Sequence, residues 1–375
     1  MRRPPLITFT CFVAFGIGAC ALIVDTTGLV ATGDGATGLD SASETTISDA
    51  LALTDAAGHD DGDAGLESFA SCDGASGAGI SLCGPDAGES CCDSPLVPGG
   101  TFRRSFDGTV NSDGLYPATV SGFRLDRFEV TVARFRRFVA ASVAGWKPAG
   151  ASGKHAHVAS QQGLVQAGSA LREGGWDSAW TANLATTHAE WSTRLACNTK
   201  STWTDQPGGS EALPINCVTW FDAYAFCIWD GGFLPSETEW NFAATGGDEQ
   251  RLYPWSVSPG NDTTLDCTHA NYGGDGGDGS APCYGMPTRP GTFPKGDGRW
   301  RHADLSGNVL EWTLDGYAGY ANPCLDCVNL LTSTKTVLRG GTWYYVTIPP
   351  YSNSRFADPA SLRADGFGLR CARAP

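Results

Sequence analysis

Five places in this chain carry residue types and spacings able to do chemistry. Asp304-Leu-Ser-Gly307-Asn-Val309-Leu-Glu311 strings two carboxylates along a turn, and Asn271-Tyr272-Gly-Gly-Asp275-Gly-Gly-Asp278 repeats the theme. Hard oxygen donors spread along a turn suit calcium, although a Gly/Asp turn also stands without metal. Cys324-Leu-Asp-Cys327 has the spacing of a redox dithiol or of half a zinc site. It follows Asn322-Pro323 with no strand-to-helix context and no second matching pair, so a small local disulfide is the better reading. His155-Ala-His157 places two imidazoles in a Gly/Ser/Lys loop, but two donors do not make a metal site and exposed polar residues are expected there. Thr342-Trp343-Tyr344-Tyr345, with Tyr351 beyond, offers apolar faces and hydroxyls to a ligand, or else fills the core.

Three helices and a strand are expected to position these groups. In Thr219–Gly231, Thr219 caps, Asp222 answers it and Gly231 stops the helix, with Cys227 on or beside the buried stripe. Ser236 and Glu239 form a capping box that opens a helix ending at Gly246. A third helix covers about Val130 to Ala140, where Val132, Phe135, Phe138 and Val139 share one face. Thr336–Arg339 reads as a short strand. With long Gly-rich loops between such elements, the class is α+β with much irregular structure, pinned by disulfides or cations.

The ends of the chain differ in composition. Arg2 and Arg3 precede an apolar run from Leu6 to Ala19 that is too short to span a bilayer, so residues 1–19 read as a signal peptide. Ile17-Gly18-Ala19-Cys20 resembles a lipobox, which makes Cys20 the lipidated mature N-terminus. Ala21 after it favours the outer membrane if the source is Gram-negative, on its periplasmic face or at the surface. Residues 21–94 hold fourteen Asp or Glu and no Lys or Arg, so residues 20–94 are expected to be an acidic disordered tether with a Cys-rich end. That leaves 26 acidic and 23 basic residues in the domain at 95–375, where the whole chain carries −15. Neither part has the basic stripe that a nucleic-acid partner needs. Of fourteen cysteines, twelve survive removal of the signal and lipidation, an even number that suggests six disulfides in an oxidising compartment. Two of the six belong to Cys72, Cys83, Cys91 and Cys92, whose connectivity stays open.

Eight separated motifs carry a family resemblance: Pro98–Phe102, Phe128–Thr131, Pro214–Trp220, Gly231–Trp240, Tyr253–Trp255, Leu305–Trp312, Arg339–Trp343 and Gly366–Ala372. In this order they resemble the sulfatase-modifying factor family, over about residues 96–375. One departure is Gly366-Phe-Gly-Leu-Arg370, where the family usually has Gly-Phe-Arg. The resemblance implies the formylglycine-generating-enzyme fold, a variant of the C-type-lectin architecture. It also implies calcium on Asp304, Glu311 and the carbonyls of Gly307 and Val309. A second ion would sit on Asn271, the Tyr272 carbonyl and either Asp275 or Asp278. Cys227 and Cys371 match a bonded family pair, and Cys197–Cys217 and Cys267–Cys283 are the further pairings expected.

The family's oxidation of a sulfatase cysteine to formylglycine uses two cysteines just after Arg-Gly-Gly, which hold copper(I), a soft ion. Aligned without gaps, Tyr345 and Pro350 stand at those positions here, and neither supplies a thiolate. No copper and no catalytic residue are therefore expected. Iron-dependent relatives take their ligands largely from an added helical domain, and no such domain is expected here. Three function classes follow. The first is a non-catalytic envelope domain that binds an unknown small molecule, glycan or protein, with Thr342, Trp343, Tyr344, Tyr345 and Tyr351 lining a groove supported from beneath by Arg339. The others are an oxidoreductase of altered metal chemistry and a structural envelope protein.

Overall fold

The computed structural model describes residues 69–375 apart from 111, 258–261, 274–282, 331–332 and 345–348. The signal peptide, Cys20, Tyr345, Asp275 and Asp278 lie outside the described residues. Within them, β1 (Leu96–Val97), β2 (Gly100–Arg103), β3 (Pro117–Val120) and β4 (Phe123–Leu125) lead into α1 (Val132–Val143). An irregular stretch follows, holding β5 (Val165–Gln166), a 3-10 turn at Ser178–Asn183 and α2 (His188–Leu195). Next come α3 (Trp220–Trp229), α4 (Glu237–Ala244), β6 (Leu310–Gly316), β7 (Cys327–Val328), β8 (Thr336–Arg339), β9 (Phe356–Asp358), β10 (Phe367–Gly368) and β11 (Ala372–Arg373). The class is α+β, with few helices and long connections.

The central sheet runs β10-β6-β8-β9, with β10 parallel to β6 and the other pairs antiparallel. Every residue of β6 is buried, as expected of a central strand covered on both faces. A second sheet, β1-β4-β11, joins the two ends of the domain, while β2 pairs with β3 and β5 with β7.

The caps form as the side-chain chemistry dictates. Thr219 and Asp222 make a reciprocal capping box on α3, and Ser236 and Glu239 make one on α4. Gly231 and Gly246 have positive φ of 83° and 64°, which ends each helix. Helix α3 is buried almost all round rather than along a stripe, because α1 and the central sheet both pack against it. The core between α1, α2 and α3 is aromatic: Phe135 stacks on Phe226 at 5.5 Å, and Phe138 meets Trp191 edge to face at 5.7 Å.

Residues 69–94, assigned by composition to the tether, pack onto the domain. Ser71 N–H donates to Asp230 at 2.7 Å, Arg134 Nε donates to the Ser71 hydroxyl at 2.8 Å, and two disulfides close the segment. Composition misled here because the cysteines and a few buried contacts, not apolar content, hold the segment down.

Candidate functional site

The loop before β6 is wound tightly, with Asp304, Gly307 and Asn308 all at positive φ. A Cβ on Gly307 would lie 2.4 Å from the Asn271 carbonyl, so only glycine fits there. The 271 and 304–311 segments are thereby one structure. Asn308 N–H donates to the Asn271 carbonyl at 2.7 Å, and the Asn271 amide donates to Asn308 Oδ1 at 3.2 Å.

Three buried carboxylates meet around this loop. Glu311 accepts from Arg370 Nε and Nη2, both at 2.7 Å, and from the Trp240 indole N–H at 2.7 Å. Asp304 accepts from Gly291 N–H at 2.6 Å, and Glu129 accepts from Val309 N–H and the Asn308 amide. Burial pushes Asp304 up to about 6, with the charges of Asp297 and Glu311 adding to it and Gly291 and Arg370 opposing. Burial and the charges of Asp304 and Glu311 hold Glu129 well above the usual carboxylate range. One guanidinium, Arg370, pairs with Glu311, and its charge also favours the ionised forms of Glu129 and Asp304.

The fit to calcium is uneven. Asn271 Oδ1 is buried without a hydrogen-bond partner among the described residues, an acceptor that a cation would satisfy. The Tyr272 carbonyl accepts from Cys283 N–H at 3.1 Å. Glu311 is committed to Arg370, and no three His, Cys, Asp or Glu side chains among the described residues converge as a ready cage. The first expected ion would have to share the oxygens of Glu311 with Arg370, and the second would find the Asn271 Oδ1 unpartnered and the Tyr272 carbonyl already accepting one hydrogen bond.

The described residues of the expected groove, all but Tyr345, do not form one surface. Thr342 and Trp343 are buried, and the Trp343 indole donates to the Asp365 carbonyl at 3.2 Å. Tyr344 is exposed and lies beside Trp343 at 4.6 Å. Tyr351 packs instead on Tyr253 at 5.2 Å. Arg339 is fully buried in a separate polar cluster, where it donates to Glu237 at 2.5 Å, to the Tyr320 hydroxyl at 2.8 Å and to the Ser354 carbonyl at 3.2 Å. Arg355 grips the same Glu237. Asp315 receives Glu237 N–H at 2.6 Å and is pushed up to about 7 by burial and by the Glu237 charge. This cluster joins residues more than a hundred positions apart, and no local pattern announces it. The Cys324–Cys327 pair is bonded at its edge, with Arg104 Nη1 3.6 Å from the Cys327 sulfur.

The two close histidines are not the exposed residues that their loop composition suggested. His155 is fully buried, its Nδ1 3.0 Å from Glu173 and its Nε2 3.0 Å from Glu239. Burial alone would lower its pKa, but the two carboxylates raise it to about 10, so it is an imidazolium at neutral pH. His157 lies flat on Phe233 at 5.3 Å with neither ring nitrogen hydrogen-bonded among the described residues, and burial lowers its pKa.

All twelve cysteines among the described residues are paired. Cys227–Cys371, the pair implied by the resemblance, is present, and so are the further expected pairs Cys197–Cys217 and Cys267–Cys283. The N-terminal four resolve as Cys72–Cys92 and Cys83–Cys91. Cys227–Cys371 ties α3 to the strand end at β11 across a separation of 144 residues.

Residues 81–375 match the model of the sulfatase-modifying factor enzyme 1-like domain. The chain is 29% identical to the inactive C-alpha-formylglycine-generating enzyme 2 of Bos taurus, over 74% of this chain and 86% of that one. It is 30% identical to the formylglycine-generating enzyme of Thermomonospora curvata, over 74% of this chain and 92% of the relative. Among solved structures it is similar to PvdO from Pseudomonas aeruginosa, at 21% identity and a TM-score of 0.47, over 75% of this chain and 93% of the other.

Proposed function

This chain belongs to the sulfatase-modifying factor family, and we propose that within it the protein is a ligand- or partner-binding member that does not make formylglycine. The observation that carries this reading is the state of the cysteines. Copper(I) in this family needs two thiolates after Arg-Gly-Gly, and Tyr345 and Pro350 occupy those positions. Pro350 is a packing residue: a Cβ on Gly341 would meet its ring at 2.6 Å, and its carbonyl accepts from the Ser306 hydroxyl at 2.6 Å. The remaining cysteines of the domain are bonded to one another, so none supplies a replacement thiolate. A mammalian relative whose name calls it inactive supports the same reading.

The domain is carried by an exported lipoprotein, anchored at Cys20 in the cell envelope and held off the membrane by the acidic segment. Calcium is structural in it, with one ion at Asp304, Glu311 and the carbonyls of Gly307 and Val309 and a second at Asn271, the Tyr272 carbonyl and either Asp275 or Asp278. The Asn271 amide oxygen, without a hydrogen-bond partner among the described residues, supports the second. Copper(I) competition tests the central point. Copper(I) held by bathocuproine disulfonate, without thiol reductant, is mixed with the purified protein. The chelate should keep its colour unchanged, whereas a Tyr345→Cys, Pro350→Cys variant should withdraw the metal. Withdrawal by the unaltered protein would overturn the reading.

A further inference from the structure

The Cys324–Cys327 bond stands between two spaces. On one side Cys324, 6% exposed, lines an open groove of about 590 Å3 together with Pro117, Thr119, Pro323 and Leu325. On the other, Cys327, 3% exposed, lines an inner cavity of about 30 Å3, shared with Arg104, Glu237, Asp315, Tyr320 and Arg355. Arg104 is the odd member of that set, for it is 3% exposed and makes no ion pair among the described residues. Its Nη2 donates to the Ala321 carbonyl at 2.9 Å and to Asn322 Oδ1 at 3.1 Å, and its guanidinium lies over the Tyr320 ring at 4.8 Å. Nη1 faces the Cys327 sulfur at 3.6 Å, and burial lowers the pKa of the group. A buried charge without a counter-charge is costly, so the place beside it favours an anion.

The neighbouring acids do not supply that anion. Glu237 is held by Arg339 and Arg355. Asp315 accepts from Glu237 N–H at 2.6 Å and Asn329 N–H at 2.7 Å, and burial pushes it up to about 7, so it is only partly ionised at neutral pH. Asp326, inside the Cys324–Cys327 loop, turns its carboxylate to Ser121, accepting from the N–H at 2.6 Å and the hydroxyl at 2.8 Å. Around the cavity, Arg104, Arg339 and Arg355 therefore outweigh Glu237 and Asp315, and a thiolate at Cys327 balances them. The Thr238 hydroxyl, 3.7 Å from the same sulfur, adds a hydrogen-bond donor. A thiolate stabilised in this way leaves readily and makes the disulfide a stronger oxidant. No other disulfide sulfur among the described residues has a guanidinium within hydrogen-bonding distance.

We propose that Cys324–Cys327 is a redox centre that exchanges two electrons with a dithiol entering from the groove, with Arg104 as the counter-charge of the Cys327 thiolate. A thiolate of the dithiol attacks the Cys324 sulfur, and the Cys324–Cys327 bond breaks with its electron pair going to Cys327. The second thiol of the dithiol then resolves the mixed disulfide, releasing Cys324. The dithiol leaves as a disulfide, and of its two protons one goes to Cys324 and one to solvent. The test equilibrates the full chain with graded mixtures of reduced and oxidised dithiothreitol, followed by acid quenching, alkylation and peptide mass mapping. Cys267–Cys283, more exposed and without a guanidinium, is the reference within each digest. Arg104→Gln should shift the Cys324–Cys327 equilibrium against reduction by about tenfold, the equivalent of one pH unit in the thiolate's proton affinity, while Cys267–Cys283 stays where it was. Arg104→Lys should restore most of the loss. Thr238→Val, which keeps the shape and removes the donor, should shift it the same way by about threefold and serves alone if Arg104→Gln does not fold. An equilibrium unmoved in the folded variants, equal shifts in both pairs, or a Cys324–Cys327 bond that stays closed until Cys227–Cys371 opens would overturn the proposal.

Discussion

His155 makes the stability of the fold fall as pH rises. Its imidazole titrates near 6.5 in an unfolded chain and near 10 between Glu173 and Glu239. A pKa raised on folding contributes stability that is fully present below the unfolded value and is lost as pH rises through the folded one. At about 1.4 kcal/mol per pH unit, the triad contributes about 5 kcal/mol below pH 6.5, of which about 3 kcal/mol is gone by pH 9. The perturbation is His155→Gln, which keeps the size and one donor but cannot carry the proton. Urea unfolding of parent and variant at intervals from pH 6 to 9 gives two stability curves, and their difference isolates the imidazole. The parent should lose its advantage steadily across that range, while the variant starts lower and changes less. Parallel curves from pH 6.5 to 9 would refute the argument, since they would mean that His155 has the same proton affinity folded and unfolded.

Further outcomes follow from the same structure. Cys227→Ser with Cys371→Ser opens a loop of 144 residues and should cost about 4–5 kcal/mol in the chain-entropy model, measured by chemical denaturation of the non-reduced proteins. Chelation by EGTA should lower the melting temperature of the parent, and an Asn271→Leu, Asp304→Asn variant should melt alike in calcium and chelator; a chelator-sensitive variant would remove these residues from the site. Cys20→Ser should move the protein from the membrane fraction to the soluble fraction in the cell that exports it and abolish incorporation of labelled fatty acid.

Local chemistry was legible and distant chemistry was not. The capping boxes at Thr219/Asp222 and Ser236/Glu239, the apolar face of α1 and the strand at Thr336–Arg339 depend on residues a few positions apart, and each forms. Helix α2 escaped notice because it is one of the shortest helices and buries only Trp191 and Leu195, too few positions to establish a period. His155 looked exposed because its neighbours Gly153, Lys154 and Ala156 are those of a loop, while the glutamates that hold it stand 18 and 84 residues away. The same distance hides the Arg339–Glu237–Arg355 cluster, which takes Arg339 away from the aromatic loop. The family motifs carried the rest, since they tie the Asp304–Glu311 turn and the Cys227–Cys371 bond to one fold.

Turnover tests the loss of the thiolate pair most directly. The purified protein, loaded with copper(I) under oxygen without thiol reductant, is incubated with a peptide containing Cys-x-Pro-x-Arg, and the peptide mass is followed. With Tyr345 and Pro350 in place of two copper ligands, the cysteine should remain a cysteine, at the level of a heat-killed control. Conversion to formylglycine above that control would contradict the account and require a metal site built without the cysteine pair.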